Sequence, residues 1–136
     1  MALKRIRVVT AVVEREGRYL ITQRREHAVL ALLWEFPGGK VEPGESDEAA
    51  LRRELKERLD ADATVGKKIG EKHHAYQGYE VEVALYAATL DETHPLSPHG
   101  VRDYRWVTSA EFEQYAFPDA DQATMDQLLG IPRPQN

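Results

Sequence analysis

Residues Gly38 to Ala61 read GGKVEPGESDEAALRRELKERLDA, a glycine-rich loop that runs straight into a helix loaded with carboxylates. Leu51, Leu55 and Leu59 recur every fourth residue, Ala49 and Ala50 favour helix, and Ser46 or Asp47 is placed to cap the first turn. The spacing therefore predicts a helix from Ser46 to Leu59. Opposite the leucine stripe, Glu54 and Glu57 are three residues apart, about 60° around the axis at ~100° per residue, and so share a face. Two carboxylates on one face suit a hard divalent cation such as Mg²⁺, which takes its oxygen ligands from protein and from substrate phosphates together. Pro37-Gly38-Gly39 adds backbone that can approach such an ion closely, because glycine has no Cβ and tolerates unusual torsions. The Gly38 carbonyl is thus a candidate ligand.

Working outward, the preceding segment RREHAVLALLWEF, Arg24 to Phe36, has neither clean strand nor helix periodicity and reads as a loop plus a short strand, stopped by Pro37. Before it, Arg5 to Val13 and Arg18 to Gln23 are rich in Val, Ile and Thr and flank Glu14 to Gly17, the pattern of a hairpin. Downstream, Lys67 to Tyr76 and Tyr79 to Thr89 read as strands around Gln77-Gly78, Val101 to Val107 as a further strand, and Asp119 to Leu129 as a closing helix. Strands, helix, strands, helix is an α+β order, in which a central mixed sheet covered by helices on both faces buries both leucine stripes.

Composition narrows the possible functions. The chain of 136 residues is 42% hydrophobic and 30% charged, too apolar for disorder and too charged for a membrane span, and without an internal repeat its length fits one domain over residues 1–136. Its 18 Lys and Arg against 23 Asp and Glu give a net charge of −5, opposite in sign to the footprint of a duplex nucleic-acid binder, which leaves a single nucleotide as a compatible ligand. The absence of cysteine excludes a disulfide framework and a thiolate zinc site. The apolar part of the opening MALKRIRVVTAVV is too short and interrupted for a signal peptide or anchor, so the expectation is a cytoplasmic protein with no membrane association, a monomer or homodimer.

The loop-to-helix segment resembles the Nudix box, residues 39–61 here, whose pattern is G, five residues, E, seven residues, then R-E-U-x-E-E-x-G-U, with U aliphatic. Gly39, Glu45, Arg53, Glu54, Leu55 and Glu57 fall on its positions. Such spacing is far more specific than a lone glycine-rich run. Trp34-Glu35-Phe36-Pro37-Gly38-Gly39-Lys40, the Arg105-Trp106-Val107 strand and Phe117-Pro118 extend the likeness to the MutT branch in particular. The resemblance implies a Nudix-type α/β/α sandwich. It also implies attack of a metal-activated water on a nucleotide phosphorus, (d)NTP going to (d)NMP and pyrophosphate with Mg²⁺ or Mn²⁺, on a canonical or oxidised base or on a related nucleoside diphosphate derivative. Glu54 would be a metal ligand and base, Glu57 a ligand with the Gly38 carbonyl, and Arg53 would pair with Glu45 to brace the loop. Arg24 and Lys40 would meet the substrate, and Asp121 the base.

Three positions depart from the pattern. Arg58 stands where the family has the second Glu of its pair, Asp60 stands for the box glycine, and Gly100 lies in HPLSPHGVRDYRWV, His94 to Val107, where MutT-like enzymes commonly carry an acid. Asp60 can serve as a left-handed helix end at some cost. Arg58, four residues after Glu54, either contacts substrate phosphate or forms an ion pair with Glu54. The carboxylates nearest Gly100 in sequence are Glu92 and Asp103. These departures support an alternative expectation, a weakened or inactive nucleotide-binding or regulatory module.

Overall fold

The computed structural model describes residues 4–28 and 31–117. Its elements are strands β1 (Lys4–Val12), β2 (Glu14–Arg15), β3 (Arg18–Gln23), β4 (Trp34–Glu35) and β5 (Gly38–Lys40), helix α1 (Asp47–Leu59), strands β6 (Ala63–Tyr76), β7 (Tyr79–Leu90) and β8 (Asp103–Val107), and a 3₁₀ turn over Ser109–Gln114. The expected closing helix, Asp119 to Leu129, and Asp121 with it, lie outside the described residues.

The strands form two sheets rather than one. The first has the order β5-β1-β7-β6 and is mixed, since β1 runs parallel to β7 while the other pairs are antiparallel. The second joins β2, β4 and β8 to β3. This corrects the expected opening hairpin: β1 does not pair with β3, and only the short extension β2 does, across a turn whose Glu16 and Gly17 have φ of 54° and 77°. The chain leaves one sheet at Val13 and enters the other. The parallel partner of β1 lies far along the sequence, where local periodicity carries no trace of it.

The β6–β7 hairpin is present, but β6 begins at Ala63, earlier than expected. Register shifts between Val65 and Lys68 and between Lys68 and Gly70 break the side-chain alternation there, and so hide the start of the strand from periodicity.

α1 forms where its spacing predicts. Ser46 Oγ accepts from the Ala49 amide at 3.1 Å, and Leu51, Leu55 and Leu59 are fully buried. They pack with Val9, Ala11 and Leu20, each burial being worth about 1.5–3 kcal/mol. Ile21, next along β3, points to the opposite face and joins Phe36, Val107 and Phe112 in a second, aromatic cluster. The helix ends at Asp60 in the left-handed region, φ 54°, with its amide on the Lys56 carbonyl at 2.9 Å, as the departure from glycine there anticipates. Lys56 Nζ, 3.1 Å from Asp60, offsets its charge at the helix C-terminus.

Candidate active site

β5, the loop after it and α1 build one site. Glu42-Pro43-Gly44-Glu45 closes a tight turn, with the Glu45 amide on the Glu42 carbonyl at 3.0 Å and Gly44 at φ 84°. This is proline then glycine at the positions a type II turn requires. The turn delivers Glu45 to Arg53, which holds it bidentately at 2.7 and 2.9 Å. The pair is the brace expected from the box, and it keeps the Glu45 carboxyl down at about 2, with the Arg53 hydrogen bond as the main cause and the Glu42 amide second. Arg53 also donates to the Lys40 carbonyl at 3.0 Å, to Glu54 at 2.9 Å and to Glu57 at 3.3 Å, so one guanidinium ties strand end, turn and helix face together.

Gly39 lies over Glu54. A Cβ there would collide with the Glu54 carboxylate, and one on Gly38 would collide with the Val9 carbonyl oxygen. Neither glycine is among those with positive φ. The two are needed for close approach and not for unusual torsions, which corrects half of the reason given from sequence.

Glu54 is 8% exposed, and both its oxygens are engaged: Oε1 by Arg53, and Oε2 by Arg58 Nε at 2.7 Å. Of the two readings of Arg58, the ion pair is thus the arrangement present. Arg58 Nη1 also stands 3.8 Å from Glu35 Oε2, and Glu35 Oε1 accepts from Arg24 Nη1 at 2.9 Å. Charges therefore alternate from Arg24 through Glu35, Arg58, Glu54 and Arg53 to Glu45. Glu35 was missed by sequence reasoning, although β4 pairs with the end of β3 and so sets Glu35 beside Arg24. A short-strand reading of Trp34–Glu35 beside Arg24 was the available signal.

The alternating charges edge a cleft of about 650 Å³ whose lining includes Arg24, Glu35, Gly38, Gly39, Lys40 and Glu54, with Arg58 also at its wall. Most of the expected site residues are brought together here. Glu57 is not: its side chain is 60% exposed at the rim, though within reach of the same Arg53 nitrogen as Glu54. Glu92, paired with Arg15 at 3.2 Å, and Asp103, which accepts from the Tyr104 amide at 2.8 Å, are both outside the lining. Gly100 is accounted for by packing: its amide donates to the Arg58 carbonyl at 3.1 Å, and a Cβ would stand 3.1 Å from Arg58 Cα.

The donor set has the right chemistry for a divalent cation. Glu54, Glu57 and the carbonyl of Gly38, on edge strand β5, are all hard oxygen donors. Among the described residues, no three carboxylate or imidazole side chains are gathered around one point, in keeping with Arg58 occupying a carboxylate's place.

The NUDIX domain family model matches residues 8–127. A CTP pyrophosphohydrolase from Escherichia coli (strain K12) is 36% identical over 95% of both chains, and an 8-oxo-dGTP diphosphatase from Haemophilus influenzae is 30% identical over 95% of both. The solution structure of the E. coli ORF135 protein superposes with a TM-score of 0.79 at 34% identity, covering 98% of this chain and 96% of that one. The chain belongs to the Nudix family, as a MutT-like Nudix hydrolase with the α+β fold of that family. No helix among the described residues is long and apolar enough to cross a membrane.

Proposed function

We propose that this chain hydrolyses nucleoside triphosphates to the monophosphate and pyrophosphate, with Mg²⁺ or Mn²⁺, in the cytoplasm. The observation that carries the reading is Glu54, buried under Gly39 and fixed by an Arg53 that is itself braced by Glu45, at the wall of a cleft roomy enough for a nucleotide. Glu54, Glu57 and the Gly38 carbonyl would hold the cation, which neutralises phosphate oxygens and acidifies a bound water. Glu54 is also the side chain that would take the proton of the attacking water. Arg53 keeps the Glu54 carboxylate in one orientation, so the base need not reorganise during the reaction. Arg24 and Lys40, on the cleft wall, contact the phosphate chain or ribose, and Asp121 the base.

The relatives that support this reading act, by name, on CTP and on 8-oxo-dGTP, so the substrate class is a pyrimidine or an oxidised purine triphosphate. Those names also weigh against a binding module that has lost hydrolysis. A thermal-shift series tests the reading. CTP and 8-oxo-dGTP with Mn²⁺ should raise the melting temperature well above either component alone, by linkage to the folded state. A shift that is the same with and without metal contradicts it.

A further inference from the structure

Arg58 carries the point furthest. Its Nε holds Glu54 Oε2 at 2.7 Å, while its Nη1 stands 3.8 Å from Glu35, a second carboxylate that also holds Arg24. A divalent cation on Glu54 would lie against two guanidiniums and be repelled by both, so Arg58 and the metal exclude one another as long as nothing else neutralises Arg58. A buried carboxylate, in turn, does not release a paired guanidinium unless another cation replaces it, because an uncompensated charge in that place is costly. One kind of ligand satisfies both conditions at once. A polyphosphate brings the anionic oxygens that a guanidinium grips in bidentate fashion, and it arrives with the cation Glu54 needs.

We infer that Arg58 is an exchangeable counter-ion: it occupies Oε2 of Glu54 in the free protein and transfers to the substrate's phosphate chain on binding. Glu35 is the positioning residue that keeps the guanidinium at the cleft wall during the exchange. The position that in the family holds a metal ligand is used here to tie metal entry to substrate entry. The inference rests on the proposed reading of Glu54 as a cation ligand, but not on turnover.

The test uses binding alone. Mn²⁺ affinity of the full chain is measured by electron paramagnetic resonance, and affinity for inorganic pyrophosphate by calorimetry in EDTA, for wild type and for Arg58→Gln, which keeps a hydrogen-bonding group without the charge. Folding is checked by circular dichroism. Mn²⁺ affinity should rise about tenfold or more in Arg58→Gln while pyrophosphate affinity falls about fivefold or more, within the usual range of coupling between sites. In the double variant Glu54→Gln/Arg58→Gln the gain in Mn²⁺ affinity should vanish. A static ion pair contributes its charge alone, so Arg58→Lys separates the two: exchange predicts that it too loses pyrophosphate affinity, because the charge remains but the bidentate grip is gone, and wild-type pyrophosphate affinity in Arg58→Lys overturns the inference. Unchanged Mn²⁺ affinity in Arg58→Gln, unchanged pyrophosphate affinity, or a gain that survives in the double variant overturns the inference. Because no turnover is read, an inactive protein that meets these expectations would remove the hydrolytic reading and leave the counter-ion in place.

Discussion

Gly39 and Glu54 are in steric register: a Cβ built on Gly39 would stand 2.6 Å from Glu54 Oε1, closer than any real contact, so the absence of a side chain on β5 is what lets the carboxylate lie against the strand. The obstacle is the far end of a flexible side chain, whereas at Gly38 it is the backbone of β1. Neighbouring glycines therefore have different sensitivities.

Gly39→Ala should lose less stability than Gly38→Ala, because the Arg53 and Arg58 side chains can follow the displaced carboxylate, and should lose activity by about 100-fold, because Glu54 moves by an ångström or so. Gly38→Ala should instead lose about 1–3 kcal/mol of stability, since the β1–β5 pairing must open. Urea titration and initial rates measured on both variants check the contrast. Equal stabilities would mean that the β5 approach to β1 is looser than described.

Gly100→Asp, the substitution that restores an acid at the family's usual place, should not raise activity. The loop carrying Gly100 caps the end of α1 with amides on the Arg58 and Leu59 carbonyls, and a side chain there meets Glu57 O at 3.2 Å. The expected result is a loss of about 1–2 kcal/mol in thermal or urea unfolding, in the range of overpacking, without a gain in rate. A faster enzyme would show that the loop has room to carry a ligand.

Much of this was legible in advance. The leucine spacing gave the helix, with Ser46 or Asp47 as its cap, and the resemblance to the Nudix box gave the Arg53–Glu45 brace and the role of Glu54, because all of these are fixed by contacts within one loop-to-helix unit. The leucine stripe gave the buried face. Long-range strand pairing was not legible. The parallel run of β1 beside β7, and the passage from one sheet to the other at Val13, depend on partners far apart in the chain. Glu35 was overlooked because its partners Arg24 and Arg58 come from a strand end and a helix. Glu57, on the same helix face as Glu54, was expected to converge with it. That face turns outward within a turn, which leaves Glu57 at the rim.

Stability should fall in acid over a defined window. Asp47 accepts from Nε and Nη2 of Arg7, each at 2.7 Å, and from the Tyr86 hydroxyl at 2.6 Å. The Arg7 bond chiefly holds Asp47 at about 2 against an ordinary 3.8, and Lys68, followed by His73 and Arg7, holds Glu71 at about 2 against 4.5. Glu45 is depressed in the same way. A folded-state value below the unfolded one means stabilisation that is complete above the unfolded value and lost as pH falls towards the folded one. The urea midpoint should therefore be flat above pH 4.5 with respect to these groups and drop between 4.5 and 2. Asp47→Asn should shrink that drop. An undiminished drop in the variant would remove Asp47 from the account.

Leu55→Ala tests the core beneath the site. Leu55 is fully buried between α1 and the first sheet, and its truncation should cost about 2–5 kcal/mol in urea unfolding. A cost under about 1 kcal/mol would mean that α1 is less firmly seated than full burial requires.

The most direct test of the central claim is pyrophosphate release from CTP and 8-oxo-dGTP with Mg²⁺ and with Mn²⁺, comparing wild type with a folded Glu54→Gln variant. The account predicts pyrophosphate and nucleoside monophosphate from at least one substrate in wild type, with the rate reduced by roughly 10²–10⁴-fold in Glu54→Gln, the range for removing a general base. Turnover that is equal in the two proteins would place the chemistry elsewhere than on Glu54 and contradict the account.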